Sequence, residues 1–77
     1  MTHEKIVKRP DGTRIKIIVS LYTDLARNET RWNNFGTLVC DPRKRKWREG
    51  KISDHLASMQ EVLEAQLELW EMLKPTL

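Results

Sequence analysis

Cys40 is the only cysteine in 77 residues. A single thiol excludes an internal disulfide and any zinc site built from several cysteines, and such usage fits a reducing compartment. Long apolar runs are also lacking. Residues 1–20 are interrupted by Lys5, Lys8, Arg9, Asp11, Arg14 and Lys16, so neither a signal-peptide core nor a membrane-spanning stretch is expected there or later. The expectation is a soluble, cytoplasmic protein with no membrane partner. No P-loop, glycine-rich phosphate cradle, zinc-ligand spacing or nucleophile elbow occurs. Groups able to do chemistry are few: His3, His55, Cys40 and scattered carboxylates. An Asp54-His55 pair at a helix start could be imagined beside Cys40. A cysteine following Leu38-Val39 is better explained as core, where it behaves as a small hydrophobe. A single domain of this length, residues 1–77, removes only about 60% of its unfolded surface from water, which leaves little room for a shaped pocket. No enzyme, cofactor or metal is expected, and a marginal core favours association.

What the chain does have is charge, unevenly placed. Residues 1–51 hold thirteen Lys/Arg against six Asp/Glu, a balance of +7. Residues 52–77 hold Lys74 against Asp54, Glu61, Glu64, Glu68 and Glu71, a balance of −4. Such polarisation concerns what each face meets, unless both are ordinary solvated surface.

The pattern predicts an α+β fold: a three- to four-stranded antiparallel β-meander in residues 5–52, then one long amphipathic helix in residues 53–74. Pro10-Asp11-Gly12 supplies a preset φ, a turn hydrogen bond and a residue tolerant of positive φ between two strands. Beyond it Ile15, Ile17, Val19 and Leu21 alternate with Arg14, Lys16 and Ser20, which places one face on a core and a cationic face outward, with Ile18 the exception. Residues 23–31 lose this period and predict a loop, with room for one helical turn. Residues 32–40 predict a third strand, bulged or bent at Gly36. After the Asp41-Pro42 turn, residues 43–51 carry six cations around Trp47, either as an edge strand guarded by lysines or as a mobile loop.

In the helix, Ser53 or Asp54 is placed to cap the first turn and Pro75 to end the last, while Ser58 with Glu61 forms a second capping-box pattern that would start the regular helix later. Leu56, Met59, Leu63, Gln66, Trp70, Leu73 and Leu77 recur at spacings of three and four, a heptad seam with one polar member. Val62, Leu69 and Met72 widen it, so one flank can pack on the sheet and another on a second helix. Glu61, Glu64, Glu68 and Glu71 form an acidic stripe without lysines at i+4, destined for sheet cations, another subunit or solvent.

Clustered cations neutralise phosphates and an interleaved aromatic stacks on bases, so Arg43, Lys44, Arg45, Lys46, Trp47, Arg48 and Lys51, extended by Arg14 and Lys16, are the candidate contact for single-stranded or duplex DNA. Trp47 could instead fold inward. Leu56, Met59, Leu63, Gln66, Trp70 and Leu73 are the candidate homodimer interface. The hairpin of residues 5–23, Asp41-Pro42 opening a basic segment, and Gly50-Lys51-Ile52-Ser53 leading into a helix together resemble the positive cofactor 4 family of single-stranded-DNA-binding transcriptional coactivators. That resemblance implies a dimer gripping a single strand. The chain departs from the family in having Val39-Cys40 where an aromatic precedes the Asp-Pro turn, a shortened basic hairpin, and an extra segment at residues 23–34. A nucleic-acid-binding dimer, of the kind found among transcription-related bacterial or phage accessory factors, is the expected function. The alternative is a protein-interaction module or small phage- or plasmid-type inhibitor docking on a larger protein, consistent with Trp32, Trp47 and Trp70 as interface aromatics.

Overall fold

The turn after the first strand forms as its residues dictate. Gly12 adopts φ +94, its N–H donates to Arg9 O at 3.0 Å, and Asp11 Oδ1 accepts from Thr13 N–H at 2.8 Å. Any side chain at Gly12 would be strained in that left-handed conformation. The computed structural model describes residues 1–73, with the backbone alone for residues 33–35. It pairs β1 (Thr2–Lys8) with β2 (Arg14–Asp24), β2 with β3 (Glu29–Cys40), and β3 with β4 (Arg48–Glu49), all antiparallel, in the order β1-β2-β3-β4.

Residues 23–31 are not the expected loop. The β2–β3 ladder runs out to the pairs Thr23↔Thr30 and Asp24↔Glu29 and turns through residues 25–28, where Asn28 takes φ 51 and Asp24 Oδ1 accepts from Ala26 N–H. Tyr22, Thr23, Thr30, Arg31 and Trp32 are all exposed. Alternation marks a strand only where one face is covered, and this end of the hairpin has no covered face. The expected irregularity at Gly36 lies elsewhere: the register shifts beside Ser20/Leu21, so that Leu21 pairs with Trp32 while Ser20 pairs with Asn34. The extra residue in β3 changes its phase and brings Trp32 to the side of the sheet that Leu21 occupies.

The basic segment resolves into a turn and a two-residue strand. Only Arg48 and Glu49 pair, opposite Val39 and Leu38. The helix comes in two pieces, α1 (Ile52–Ala57) and α2 (Met59–Leu73). Lys51, rather than Ser53 or Asp54, is the N-cap, and Asp54 Oδ2 accepts its N–H at 2.8 Å. The interruption at Ser58 coincides with the second capping pattern. Ser58 is fully buried there, and the Arg9 guanidinium reaches Ala57 O at 3.4 Å, supplying a donor to a carbonyl at the break. The expected stop at Pro75, the charge at Lys74 and the seam position Leu77 lie outside the described residues. No helix among the described residues is long and apolar enough to cross a membrane.

One face of β2 provides half the core. Ile15, Ile17, Val19 and Leu21 pack with Val62, Ala65 and Leu69 of α2, and Leu73 joins from the margin. Ala65 has no exposed surface, and its small side chain lets helix and sheet approach closely. α2 lies over β1 and β2, while α1 reaches the end of β3.

Candidate nucleic-acid interface

Strand alternation sorts the basic residues between the two faces of the sheet. On β1, His3, Lys5 and Val7 turn toward the helix, while Glu4, Ile6 and Lys8 turn away. The register aligns Lys8 with Arg14 and Ile6 with Lys16, and across β2 it aligns Arg14 with Cys40 and Lys16 with Leu38. The face opposite the helix therefore has Lys8, Arg14 and Lys16 around Ile6, Ile18 and Leu38, with Glu4 opposite Ile18 and Glu49 opposite Leu38.

The acidic stripe answers the cations of the other face. Glu68 accepts from Lys5 Nζ and lies 2.9 Å from His3 Nε2, Glu64 lies 3.9 Å from Lys5 Nζ, and Glu61 pairs with Arg9 Nη1. These bonds hold the Glu61 carboxyl below its ordinary range through Arg9, and that of Glu68 through Lys5 and then His3. Of the three destinations open to the stripe, the protein's own sheet region takes three of its members: β1 holds Glu64 and Glu68, and Arg9 in the turn after β1 holds Glu61.

Trp47 is neither core nor free. Half-buried, it lies across the outer face with Lys16 Nζ 4.7 Å and Arg14 Cζ 5.6 Å from the ring centroid, in cation–π range. Beneath the same loop is Cys40, fully buried yet outside the helix-facing core. Its Sγ donates to Lys44 O at 3.0 Å and accepts from Arg14 Nη2 at 3.2 Å. The loop turns at Arg43, whose φ of 65 is left-handed, and Asp41 O accepts from Lys44 N–H. Arg43, Lys44, Arg45, Lys46 and Lys51 are exposed. Among the described residues, Lys8, Arg14, Lys16 and those five make no ion pair. Arg48 differs from its neighbours: Nε and Nη2 fork onto Asp41 at 2.9 and 3.1 Å, and Nη1 meets Asp54 Oδ2 at 3.2 Å. Arg48 holds the Asp41 carboxyl below its usual range, the Lys51 N–H and then Arg48 do so for Asp54, and the Arg48 guanidinium is pushed up.

Five carboxyls, these four and Asp11, which accepts from the Thr13 N–H, thus titrate lower folded than unfolded. Such groups stabilise above the ordinary carboxylate range and lose that contribution as pH falls through their depressed values. The melting temperature is expected to stay flat from about pH 7 to about pH 5 and then to fall steeply toward about pH 2. Circular dichroism melts across that range check it; an unchanged melting temperature at about pH 3 contradicts the ion-pair account.

The helix seam divides between two environments. Leu56, Met59, Leu63 and Trp70 are exposed by 69%, 44%, 53% and 37%, Gln66 is half-buried, and Leu73 instead packs at the core margin. Val62 and Leu69, which the sequence places on the widened apolar surface, are core. Trp32, Leu63, Gln66, Leu67 and Trp70 line an open groove beside β3. Sequence reasoning did not single out Leu67, and it named Trp32 as an interface aromatic without placing it beside Leu63 and Trp70. Leu67 stands four residues after Leu63 and three before Trp70, a legible signal, whereas Trp32 arrives only through the bulge. No three of His, Cys, Asp and Glu converge as a metal site among the described residues. Compared with known proteins, the chain matches no family model, no curated protein and no solved structure.

Proposed function

We propose that the protein is a non-enzymatic nucleic-acid-binding homodimer, cytoplasmic, whose contact surface is the outer sheet face with the loop of residues 41–47. The carrying observation is the sorting of charge. The helix acids Glu61, Glu64 and Glu68 are taken by cations on the helix side, and on the outer face Lys8, Arg14, Lys16 and the loop cations, unpaired among the described residues, outnumber Glu4 and Glu49 around Trp47. Uncompensated cations release counterions from a phosphate backbone, and an aromatic among them offers a stacking surface. Ile6, Ile18 and Leu38 give the same face an apolar floor on which unpaired bases can lie, favouring a single strand. That role is similar to the one implied by the positive cofactor 4 resemblance.

The second copy is assigned to the helix seam. Leu56, Met59, Leu63, Leu67 and Trp70 are spaced three, four, four and three, symmetric about Leu63. Within α2, a two-fold axis near Leu63 sets Met59 level with Leu67 of the other copy, as an isologous interface requires, while Leu56 joins from α1 across the break at Ser58. With Trp32, these side chains are all exposed, by 37% to 69%, and lie together as the apolar centre that an interface of about 800 Å² per partner needs. The groove equally suits a larger protein, which is the second reading: an interaction module with no nucleic-acid activity.

A titration of labelled single-stranded and duplex oligonucleotides, followed by tryptophan fluorescence and amide shifts, separates the two. Binding is expected to weaken as salt rises, with a slope of log K against log salt of about −0.7 per phosphate neutralised on a single strand. Removing the charges of Lys44 and Lys46 together flattens the slope by about 1.4. Trp47→Ala weakens binding by roughly 1–3 kcal/mol through lost stacking and leaves the slope nearly unchanged. No binding at low salt, or shifts that avoid residues 43–51, overturns the nucleic-acid reading in favour of the second.

A further inference from the structure

We propose that Arg48 is a positioning residue which, clamped between Asp41 and Asp54, sets the loop of residues 41–47 and lays Trp47 against Lys16 and Arg14. This deepens the nucleic-acid reading and rests on it for the effect on binding. By composition Arg48 is one more cation of the basic run. By geometry it is unlike the others, because its guanidinium makes a two-point fork with Asp41 at 2.9 and 3.1 Å, a third bond to Asp54 at 3.2 Å and a fourth to Glu49 O at 3.2 Å. A phosphate at Arg48 would have to displace a bidentate carboxylate already in place.

The clamp joins three elements. Asp41 directly follows β3, Arg48 opens β4, and Asp54 lies in the first turn of α1, itself oriented by the Lys51 N–H at 2.8 Å. Closing Asp41 onto Arg48 ties the two ends of the loop together. Trp47, the residue before Arg48, is then delivered to the outer sheet face, where it meets Lys16 and Arg14. Because a loop ordered before binding need not be ordered during it, the clamp raises affinity without touching the ligand.

Two carboxylates inside a basic phosphate-binding surface would ordinarily weaken binding, so their removal should strengthen it. The clamp demands the reverse. Asp41→Asn, Arg48→Gln and Lys44→Gln are compared for binding in the otherwise unmodified chain and, for Trp47 emission alone, in a Trp32→Phe, Trp70→Phe background shown by sedimentation to keep the oligomeric state of the unmodified chain. The probe is a single-stranded oligothymidine titrated at several salt concentrations. Asp41→Asn is expected to weaken binding about tenfold at unchanged salt slope, with Trp47 emission moving to longer wavelength, and Arg48→Gln to match it. Lys44→Gln should lower the slope magnitude by about 0.7 with Trp47 emission unmoved. Tighter binding by Asp41→Asn overturns the clamp, as does an Arg48→Gln protein that loses about 0.7 of slope with unaltered Trp47 emission. If the parent protein binds no oligonucleotide, the nucleic-acid reading fails separately. Trp47 emission then decides the clamp alone: a shift in Asp41→Asn and Arg48→Gln supports it, and its absence overturns it.

Discussion

Leu69→Ala is expected to remove about 2–5 kcal/mol of stability, out of a total near the lower end of the 5–15 kcal/mol typical of domains. Leu69 has no exposed surface and packs with Val62 and Ala65 of its own helix and the inward row of β2. Truncation there loses the transfer energy of the deleted atoms and leaves a cavity the rigid strand cannot close. The corresponding fall in melting temperature is roughly 10–30 °C for a domain of this length. The comparison that gives the result meaning is Leu63→Ala, six positions earlier and 53% exposed. At concentrations where the protein is monomeric, Leu63→Ala should shift the thermal midpoint by no more than a few degrees. Equal losses in the two variants would show that the helix face has been assigned to the wrong side.

Leu63→Asp should convert the proposed dimer to a folded monomer. At the centre of the symmetric seam each Leu63 would meet its counterpart, and burial of one such side chain is worth about 1.5–3 kcal/mol. Losing two of them, and setting two carboxylates against each other, should raise the dissociation constant by at least about a hundredfold. Because Leu63 lies outside the core cluster, the monomer should keep its far-ultraviolet spectrum. Sedimentation equilibrium at tens of micromolar should give a dimer mass for the unmodified chain and a monomer mass for the variant. A monomer mass for the unmodified chain at that concentration removes the dimer from the account, and the groove between Trp32 and Trp70 then favours a different protein.

How much of this was legible beforehand varies with the physics of each element. The first hairpin could be read because each of its determinants is local: Gly12 carries the positive φ, Asp11 closes the turn, and alternation from Ile15 to Leu21 records a face that is in fact covered. The tip of the second hairpin could not, since a ladder held by backbone bonds with both faces in water leaves no periodic trace in its side chains. Ser58 was marked by its capping pattern. That Arg9 reaches across from the β1–β2 turn to the Ala57 carbonyl beside it was not marked, because nothing within the helix requires a donor from 48 residues away.

The candidate site divides the same way. Residue type and spacing in the sequence determined that the chain is α+β, that its sheet is basic and its helix acidic, that the helix carries more apolar surface than one core contact needs, and that a basic segment surrounds a tryptophan. Only the tertiary structure decided which cations meet Glu61, Glu64 and Glu68, that Trp47 lies over Lys16 rather than in the core, that Arg48 is held by Asp41 and Asp54, and that Val62, Ala65 and Leu69 rather than Leu63 and Trp70 face β2. The reason is that periodicity fixes which residues share a face but not which face meets which neighbour. A charge acquires its partner only when register and packing bring distant segments within a few ångströms.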